Sequence, residues 1–396
     1  MYLTGVPSGM KKLLISPSQM ALGEQEGHIY QNILKQASEI SLNLMAVKIE
    51  NHPEDFLGWC YELLNASRDR INHDLLETNQ LPILKKLNDL LVSAISFLQL
   101  KTLRVAPWPV VSVFIEQHKD VLALDEQLRL ANYIAGIREQ SLKEMIPEDL
   151  LAFSGKHTSA LDPSSYNFDV EWFSSTKSAK AFHQMLADLP ALFDEALAHI
   201  PLEGEVTEAD YQEFVVKYLK AFTDSNEKPT LAPATRLLAM RRPDVFTPIN
   251  NTRLDALCSA LAITKLNNRD FARYWQDIVQ AVHGMSWFKM ASGDSELDQQ
   301  LVAIKALIPC FFYHADKNTP ENSNYIKLLS KPKRTTTTGT RKVRRGKESA
   351  EILVDRALAA DDMPEHIRAK RDSIISEVQK GRGVNETISL MRTIFG

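Results

Sequence analysis

The sequence has few glycines and cysteines and no long apolar run. Glycine accounts for only 15 of 396 residues, about half of its usual share of roughly 7%. Because turn-dense β-sandwiches and phosphate-binding loops depend on glycine, this scarcity disfavours both classes. The most apolar stretch, residues 90–100, is far shorter than the roughly 20 residues of a membrane-spanning helix. The sequence therefore predicts no membrane segment.

The three cysteines, Cys60, Cys258 and Cys310, lie far apart within apolar stretches. A disulfide framework requires paired cysteines in an oxidising compartment, and a zinc site requires closely spaced Cys or His pairs. Neither pattern is present, and the N-terminal residues lack the cationic and apolar regions of a secretory signal. We therefore predict buried free thiols, a cytoplasmic protein, no metal site and no cofactor.

Apolar residues recur at helical spacing through most of the chain. Ile29, Ile33 and Ile40, for example, share one face of an amphipathic helix. Val110–Ile115 is instead a run of six residues, all apolar except Ser112, that predicts a short strand. We predict a mainly α fold: a multi-helical, two-lobed body with a short strand-like segment, plus a small C-terminal helical module on a basic tether.

Composition divides the chain into segments. Residues 155–177 are rich in Ser, Asp, Asn and Pro and show little periodicity, which is typical of a loop or boundary. A second shift in composition comes at residue 331. The predicted segments are an N-terminal helical domain (1–154), a central helical domain (178–330), a basic linker (331–347) and a C-terminal helical module (348–396).

The basic linker is the clearest functional signal, because it holds eight cations and no acid. Subtracting these eight charges and the net −2 of residues 348–396 from the total of −4 leaves −10 for residues 1–330. Cations that contact a polyanion release its condensed counterions, which gives sequence-independent, salt-sensitive binding. The predicted nucleic-acid-binding cations are Lys331, Lys333, Arg334, Arg341, Lys342, Arg344, Arg345 and Lys347. The alternatives are a merely solvated tether or, in a eukaryote, a nuclear-import signal.

A second candidate lies in residues 231–257, where Arg236, Arg241, Arg242 and Arg253 crowd two predicted turns. Guanidinium groups bind phosphate through two parallel N–H donors, and the amides that open the following helix would add a site for an anion. We therefore add these four arginines to the predicted nucleic-acid-binding residues. The alternative is that Arg241 and Arg242 only oppose the dipole at a helix C-terminus.

Nearby aromatic side chains offer a further possibility, since Trp275, Trp287 and Phe288 would provide surfaces on which bases stack. Their helical spacing is more typical of core residues. No motif of paired acids, of a nucleophile with its base or of a metal site is present, so no catalytic residue is predicted.

The stretch from Phe182 to Trp287 combines several recognisable pieces, which are Ala232-Pro-Ala-Thr-Arg-Leu-Leu, Arg241-Arg-Pro-Asp-Val-Phe, Asn250-Asn, Leu257-Cys258, Tyr274-Trp275 and Ser286-Trp287. It resembles a helical module of poorly characterised bacterial proteins from defence islands and mobile elements. The resemblance covers about a quarter of the chain. It implies a role near nucleic acid or in anti-phage defence, without an assigned activity.

The same stretch also resembles the end of the helix-hairpin-helix DNA glycosylases, in which a glycine-rich hairpin leads into a helix opened by a carboxylate. Here Ala-Pro-Ala replaces the glycines, and Asn250 and Asn251 stand where the acid would be. An amide does not supply the negative charge that stabilises an oxocarbenium-like centre. The departure disfavours glycosylase activity.

Together these features predict a non-catalytic, nucleic-acid-associated component of a bacterial anti-phage defence or mobile-element system. We expect it to bind DNA rather than RNA, to work with a partner protein from the same operon and to make no membrane contact. One alternative is a helical adaptor or scaffold that binds a partner or self-associates through residues 348–396. Another is a nucleic-acid enzyme whose carboxylates converge only in the fold.

Overall fold

The structure of the protein is a computed structural model. It describes residues 17, 20–40, 55–71, 74, 76–159, 161–223, 225, 227–313, 319–330, 350–359, 363–379 and 384–395. These residues form helices and no β-strand, so the predicted mainly α fold is confirmed. The chain divides between Lys331 and Pro332 into two compact units, each described here by itself.

The first unit is built from helices and two irregular helical segments. Before residue 155 they are α1 (Glu24–Glu39), α2 (Phe56–Asp69), α3 (Gln80–Leu103), α4 (Trp108–Gln117), α5 (Lys119–Leu122), α6 (Leu124–Ile137) and α7 (Pro147–Ser154). After residue 179 they are α8 (Lys180–Asp188), α9 (Pro190–Leu197), α10 (Glu208–Lys220), α11 (Leu231–Arg241), α12 (Leu254–Ala260), α13 (Phe271–Arg273), a π-helical segment (Tyr274–Val279), α14 (Gln280–Gly284), α15 (Ser286–Met290), α16 (Glu296–Ala303), a 3₁₀ turn (Lys305–Leu307), α17 (Ile308–Phe311) and α18 (Asn324–Leu329).

The long helix α3 organises the first part of this unit, since α1, α2 and α12 all pack against it. Leu84, Leu87, Leu91 and Ile95 follow one another at helical spacing and are buried. Each such side chain contributes roughly 1.5–3 kcal/mol when it is fully removed from water. The apolar residues that recur at helical spacing in the sequence are therefore the core residues of this helix.

The predicted strand at Val110–Ile115 is wrong, because these residues belong to α4. Val111 and Ile115 are fully buried, whereas Val110 and Val113 are exposed. In a strand Val113 would lie on the same face as Val111 and Ile115, so its exposure between two buried residues indicates a helix and not a strand. Proline at the first turn of α4 also has the backbone angle that a helix start requires. Packing of this face overrides the strand preference of the valines.

Residues 155–177 do not separate two domains. Buried side chains before and after this stretch belong to one hydrophobic core that extends from Tyr30 to Phe312. The stretch itself contributes Phe168, Val170 and Phe173 to that core. The predicted N-terminal and central domains therefore form one compact unit, and the irregular stretch is one of its internal connections.

The second unit contains α19 (Ala350–Leu358), α20 (Glu365–Arg368), α21 (Arg371–Gln379) and α22 (Val384–Phe395). It has its own small core, which includes Val354, Ile367, Ile374 and Ile388. The described residues of the predicted C-terminal module are thus helical. The basic linker lies outside the described residues.

Three further observations concern the described part of the chain. No helix there is long and apolar enough to cross a membrane. The three cysteines are free thiols. Within the same residues, no cluster of His, Cys, Asp or Glu side chains is suited to hold a metal ion.

His183 on α8 makes folding depend on pH. Its ring Nε2 lies 2.8 Å from the Thr176 carbonyl oxygen, to which an Nε2–H donates. Burial lowers the pKa of His183 from 6.5 to about 4, and the nearby charge of Lys156 lowers it further. The folded state therefore holds the neutral ring at a pH at which the unfolded chain already binds a proton.

Stability from His183 is thus complete above pH 6.5 and is lost as the pH falls toward about 4. We expect this ring to account for about 2–3 kcal/mol of the free energy of unfolding that is lost between neutral pH and pH 4. His183→Gln, which does not titrate, is expected to have a smaller difference in free energy of unfolding between neutral pH and pH 4. Urea unfolding at both pH values measures it, and an unchanged difference in the variant would contradict the assignment.

Candidate nucleic-acid interface

The structure bears on only part of the predicted interface, because all eight linker cations lie outside the described residues. It does show how the chain is held just before the linker. The Glu126 carboxylate accepts a hydrogen bond from the Ser323 hydroxyl (2.6 Å), and the Asp169 carboxylate accepts one from the Asn324 amide (2.7 Å). Both acids are buried. They anchor the start of α18, which ends at Leu329.

Arg236 does not belong to a nucleic-acid interface. It lies on α11 with its side chain fully buried. Its guanidinium donates to the carbonyl oxygens of Ala152 (3.0 Å), Phe153 (3.2 Å), Val170 (3.1 Å), Ser174 (3.3 Å) and Trp172. These bonds tie the end of α7 to the irregular stretch that follows it. A phosphate has no access to this side chain, so its predicted role is wrong.

Gly155 makes room for the Arg236 guanidinium. This glycine has a φ of +71°, in the left-handed region that favours glycine. A Cβ atom added here would lie 2.7 Å from the Ser174 carbonyl oxygen and 3.1 Å from Arg236 Cζ. The backbone at Gly155 is therefore in close contact with the arginine, and a larger residue would disturb the whole set of carbonyl bonds.

Arg242 is also occupied within the protein. Its guanidinium pairs through two bonds of 2.8 Å with the Asp244 carboxylate and donates to the carbonyl oxygens of Pro201 and Gly204 at 2.8 Å. The residue is only 4% exposed. These bonds close the turn after α11, and they leave one N–H of five for any ligand. Its predicted role as a phosphate ligand is therefore replaced by a structural one.

Arg241 ends α11 and is half-buried. Its Nε donates to the Ile200 carbonyl oxygen (3.3 Å), and Nη1 donates to the Arg138 carbonyl oxygen (2.9 Å). Burial lowers the pKa of Arg241, and the charge of Arg138 lowers it further. Two cations therefore lie close together at this helix end, where the partial negative charge of the carbonyls is favourable for them.

Next to this helix end is a cavity of about 420 Å³ with Arg138, Arg242 and Lys305 in its walls. The Arg138 Nε is buried, and among the described residues no acceptor lies within hydrogen-bonding distance of it. Lys305 places its amine 4.2 Å from the centre of the Phe288 ring. Within the described part of the chain, neither Arg138 nor Lys305 forms a salt bridge. Sequence reasoning missed both residues, because they lie far outside the arginine-rich stretch.

Arg253 lies elsewhere and lines a different cavity. It immediately precedes α12, and its Nη1 donates to the Ser96 hydroxyl on α3. Its guanidinium carbon is 5.5 Å from the centre of the Tyr313 ring. Burial lowers the pKa of Arg253. The four predicted arginines therefore do not form one cluster.

The polar side chains before α12 bond within their own turn and do not cap the helix. The residue before α12 is Arg253, which makes no side-chain capping bond. The Asn250 side-chain oxygen instead accepts from the Thr252 amide (3.0 Å) and hydroxyl (2.7 Å). This turn takes up the polar groups that would have capped the helix. An α12 of only seven residues is too short to provide the anion site expected from its amides.

The candidate stacking aromatics are core residues. Tyr274, Trp275, Trp287 and Phe288 are all buried. Tyr211 stacks on Trp275 with ring centres 5.2 Å apart. These rings present no surface on which a base could stack.

Comparisons with known proteins add no identification. No family model, curated protein or solved structure matches this chain.

Proposed function

We propose that this protein binds nucleic acid without acting on it catalytically, mainly through the cations of the basic linker. The concentration of eight positive charges in residues 331–347, next to a stretch of net charge −10, carries the proposal. A polyanion is repelled by the acidic remainder and attracted by the linker, so binding is local. The boundary between the two compact units falls at the start of the linker, between Lys331 and Pro332.

The cavity beside α11 supports a second contact with the phosphate backbone. Arg138 and Lys305 both line this cavity, and neither forms a salt bridge within the described part of the chain. An unpaired guanidinium in a concave site is suited to the two oxygens of a phosphate group. Arg138 and Lys305 therefore take the place of Arg236 and Arg242 in the proposed interface.

The wider setting of the proposal depends on the resemblance of residues 182–287 to a module of bacterial defence islands and mobile elements. On that basis we infer DNA rather than RNA as its ligand and a partner protein encoded nearby, while the unpaired cysteines favour the cytoplasm. Fluorescence anisotropy with a DNA duplex and an RNA of equal length tests the ligand. No binding of either at about 50 mM salt, where phosphate contacts are strong, would refute the function.

Arg138→Gln is expected to weaken DNA binding about 3- to 10-fold and to lower the slope of log affinity against log salt by about 1, as for one lost phosphate contact. Stability is expected to be unchanged, because among the described residues the lost Nε has no partner. Arg269→Gln is the matched control, since Arg269 is an exposed arginine of the same unit. Equal effects of both substitutions would show that Arg138 contributes only its general charge.

The adaptor function remains as an alternative, favoured by one observation. The second unit has its own core and leaves Leu390 on α22 42% exposed. Leu390→Glu is expected to change the mass measured by light scattering if this helix mediates self-association. An adaptor would also show no affinity for DNA or RNA, which separates it from the proposed function.

A further inference from the structure

The second cavity, of about 270 Å³, lies within the first unit. Residues 171–175, the turn at Asn250–Arg253 and the end of α17 all contribute to its walls. Phe173 in the first of these segments has a φ of +70°. A bulky residue in the left-handed region costs of order 1–3 kcal/mol, and such strain is concentrated at functional sites. The cavity therefore combines a strained backbone with Arg253, whose guanidinium makes a single hydrogen bond among the described residues.

The Arg253 guanidinium has N–H groups that are available to a ligand. Its Nη1 is bonded to the Ser96 hydroxyl, and the Tyr313 ring lies beside the guanidinium. Among the hydrogen bonds and salt bridges of the described residues, the bond from Nη1 to Ser96 is the one that involves this guanidinium, which leaves Nε and Nη2 for a ligand. These two N–H groups point the same way along one edge of the planar group, which is the fork that matches a carboxylate or a phosphate.

Other groups on the cavity wall are also donors. The Ser175 hydroxyl is buried, and no partner for it exists among the described residues. The Asn250 side-chain oxygen is taken by Thr252, so its NH₂ group is what remains for a ligand. Glu171, an acid on the same wall, is already paired with Lys177 at 3.2 Å. The cavity therefore offers hydrogen-bond donors without partners, and the charge of its acid, Glu171, is balanced by Lys177. Such a wall is suited to bind an anion.

We propose that this cavity binds a small organic molecule through its carboxylate or phosphate group, with Arg253 as the main ligand and Ser175 and Asn250 as further donors. Trp172 and Tyr313 on the wall provide apolar surface for the rest of the molecule. At about 270 Å³ the cavity is slightly smaller than the roughly 300–1,000 Å³ of typical ligand cavities, so it suits a small ligand. The site is separate from the linker and does not depend on the proposed nucleic-acid binding.

Isothermal titration calorimetry of the full chain with inorganic phosphate, acetate and a nucleoside 5′-monophosphate, at constant ionic strength, tests the site. We expect at least one of these probes to bind at a single site. Arg253→Lys keeps the charge but loses the fork, and it is expected to weaken that binding at least tenfold. Failure of all three probes to bind, or equal binding by the variant, would overturn the proposal.

Ser175→Ala provides a variant that does not threaten folding. Removing a buried hydroxyl without a partner is expected to leave the melting temperature unchanged or slightly higher, while probe affinity falls several-fold. Arg269→Gln, which removes an exposed arginine that lines neither cavity, is expected to bind the probes as the wild type does. Unchanged probe affinity in Ser175→Ala would remove Ser175 from the site, and an equal loss of binding in Arg269→Gln would show that the probes respond only to general charge and would overturn the proposal.

Discussion

Replacing the eight cations of the basic linker with glutamine is expected to reduce the affinity for DNA at least about a hundredfold at 50 mM salt. The linker supplies eight charges that neutralise phosphates, and each contact with duplex DNA contributes about 0.9 to the slope of log affinity against log salt. If all eight engage, the slope is about −7. The glutamine variant retains only the slope of about −1 or −2 expected from contacts in the first unit.

A scrambled linker is the matched control, because it keeps the composition and changes the order of residues 331–347. Binding by counterion release does not depend on order, so the scrambled chain is expected to match the wild type in affinity and slope. Fluorescence anisotropy over a series of salt concentrations measures both. A glutamine variant that binds as well as the wild type would show that the linker is only a tether.

Helices could be predicted where the sequence alone determines the buried face. The repeat of leucines in α3 is one case, and the start of α10 is another. There the Thr207 hydroxyl accepts from the Asp210 amide (3.3 Å), and the Asp210 carboxylate accepts from the Thr207 amide (2.8 Å). Both patterns connect residues within one or two helical turns. The prediction for Val110–Ile115 was wrong because valines also occupy the exposed positions, so the sequence does not show which residues form the buried helical face.

The site was harder to predict, because its contacts are long-range. Arg236 and Arg242 have the same side chain as a phosphate-binding arginine, and their sequence neighbours do not reveal that carbonyl oxygens surround them. The partners of Arg236 lie 62 to 84 residues before it in the chain. Arg138 is brought near Arg241 over a separation of 103 residues. Only the fold shows whether the N–H groups of an arginine are bonded within the protein or are available to a ligand.

Arg236→Met is expected to lower the free energy of unfolding by at least about 4 kcal/mol. The reason is that several buried carbonyl oxygens lose the hydrogen bonds that the guanidinium donates to them. Domains are stable by only about 5–15 kcal/mol, so the variant is expected to be largely unfolded or close to it. Burial lowers the pKa of Arg236 to about 10, with Cys310 and Asp169 opposing the shift. The group is therefore still charged near neutral pH, where its hydrogen bonds are of the stronger, charge-assisted kind.

Arg236→Lys distinguishes the shape of the group from its charge. An ammonium has three donors on a compact head and is unable to reach carbonyls of Ala152 and Trp172 at once with the geometry of the planar fork. We expect this variant to lose about 2–4 kcal/mol, whereas Arg269→Lys at an exposed position changes stability by less than about 0.5 kcal/mol. Urea unfolding monitored by circular dichroism measures all three. A fully stable Arg236→Lys protein would mean that charge alone, and not the set of directed bonds, holds the end of α7 against the following stretch.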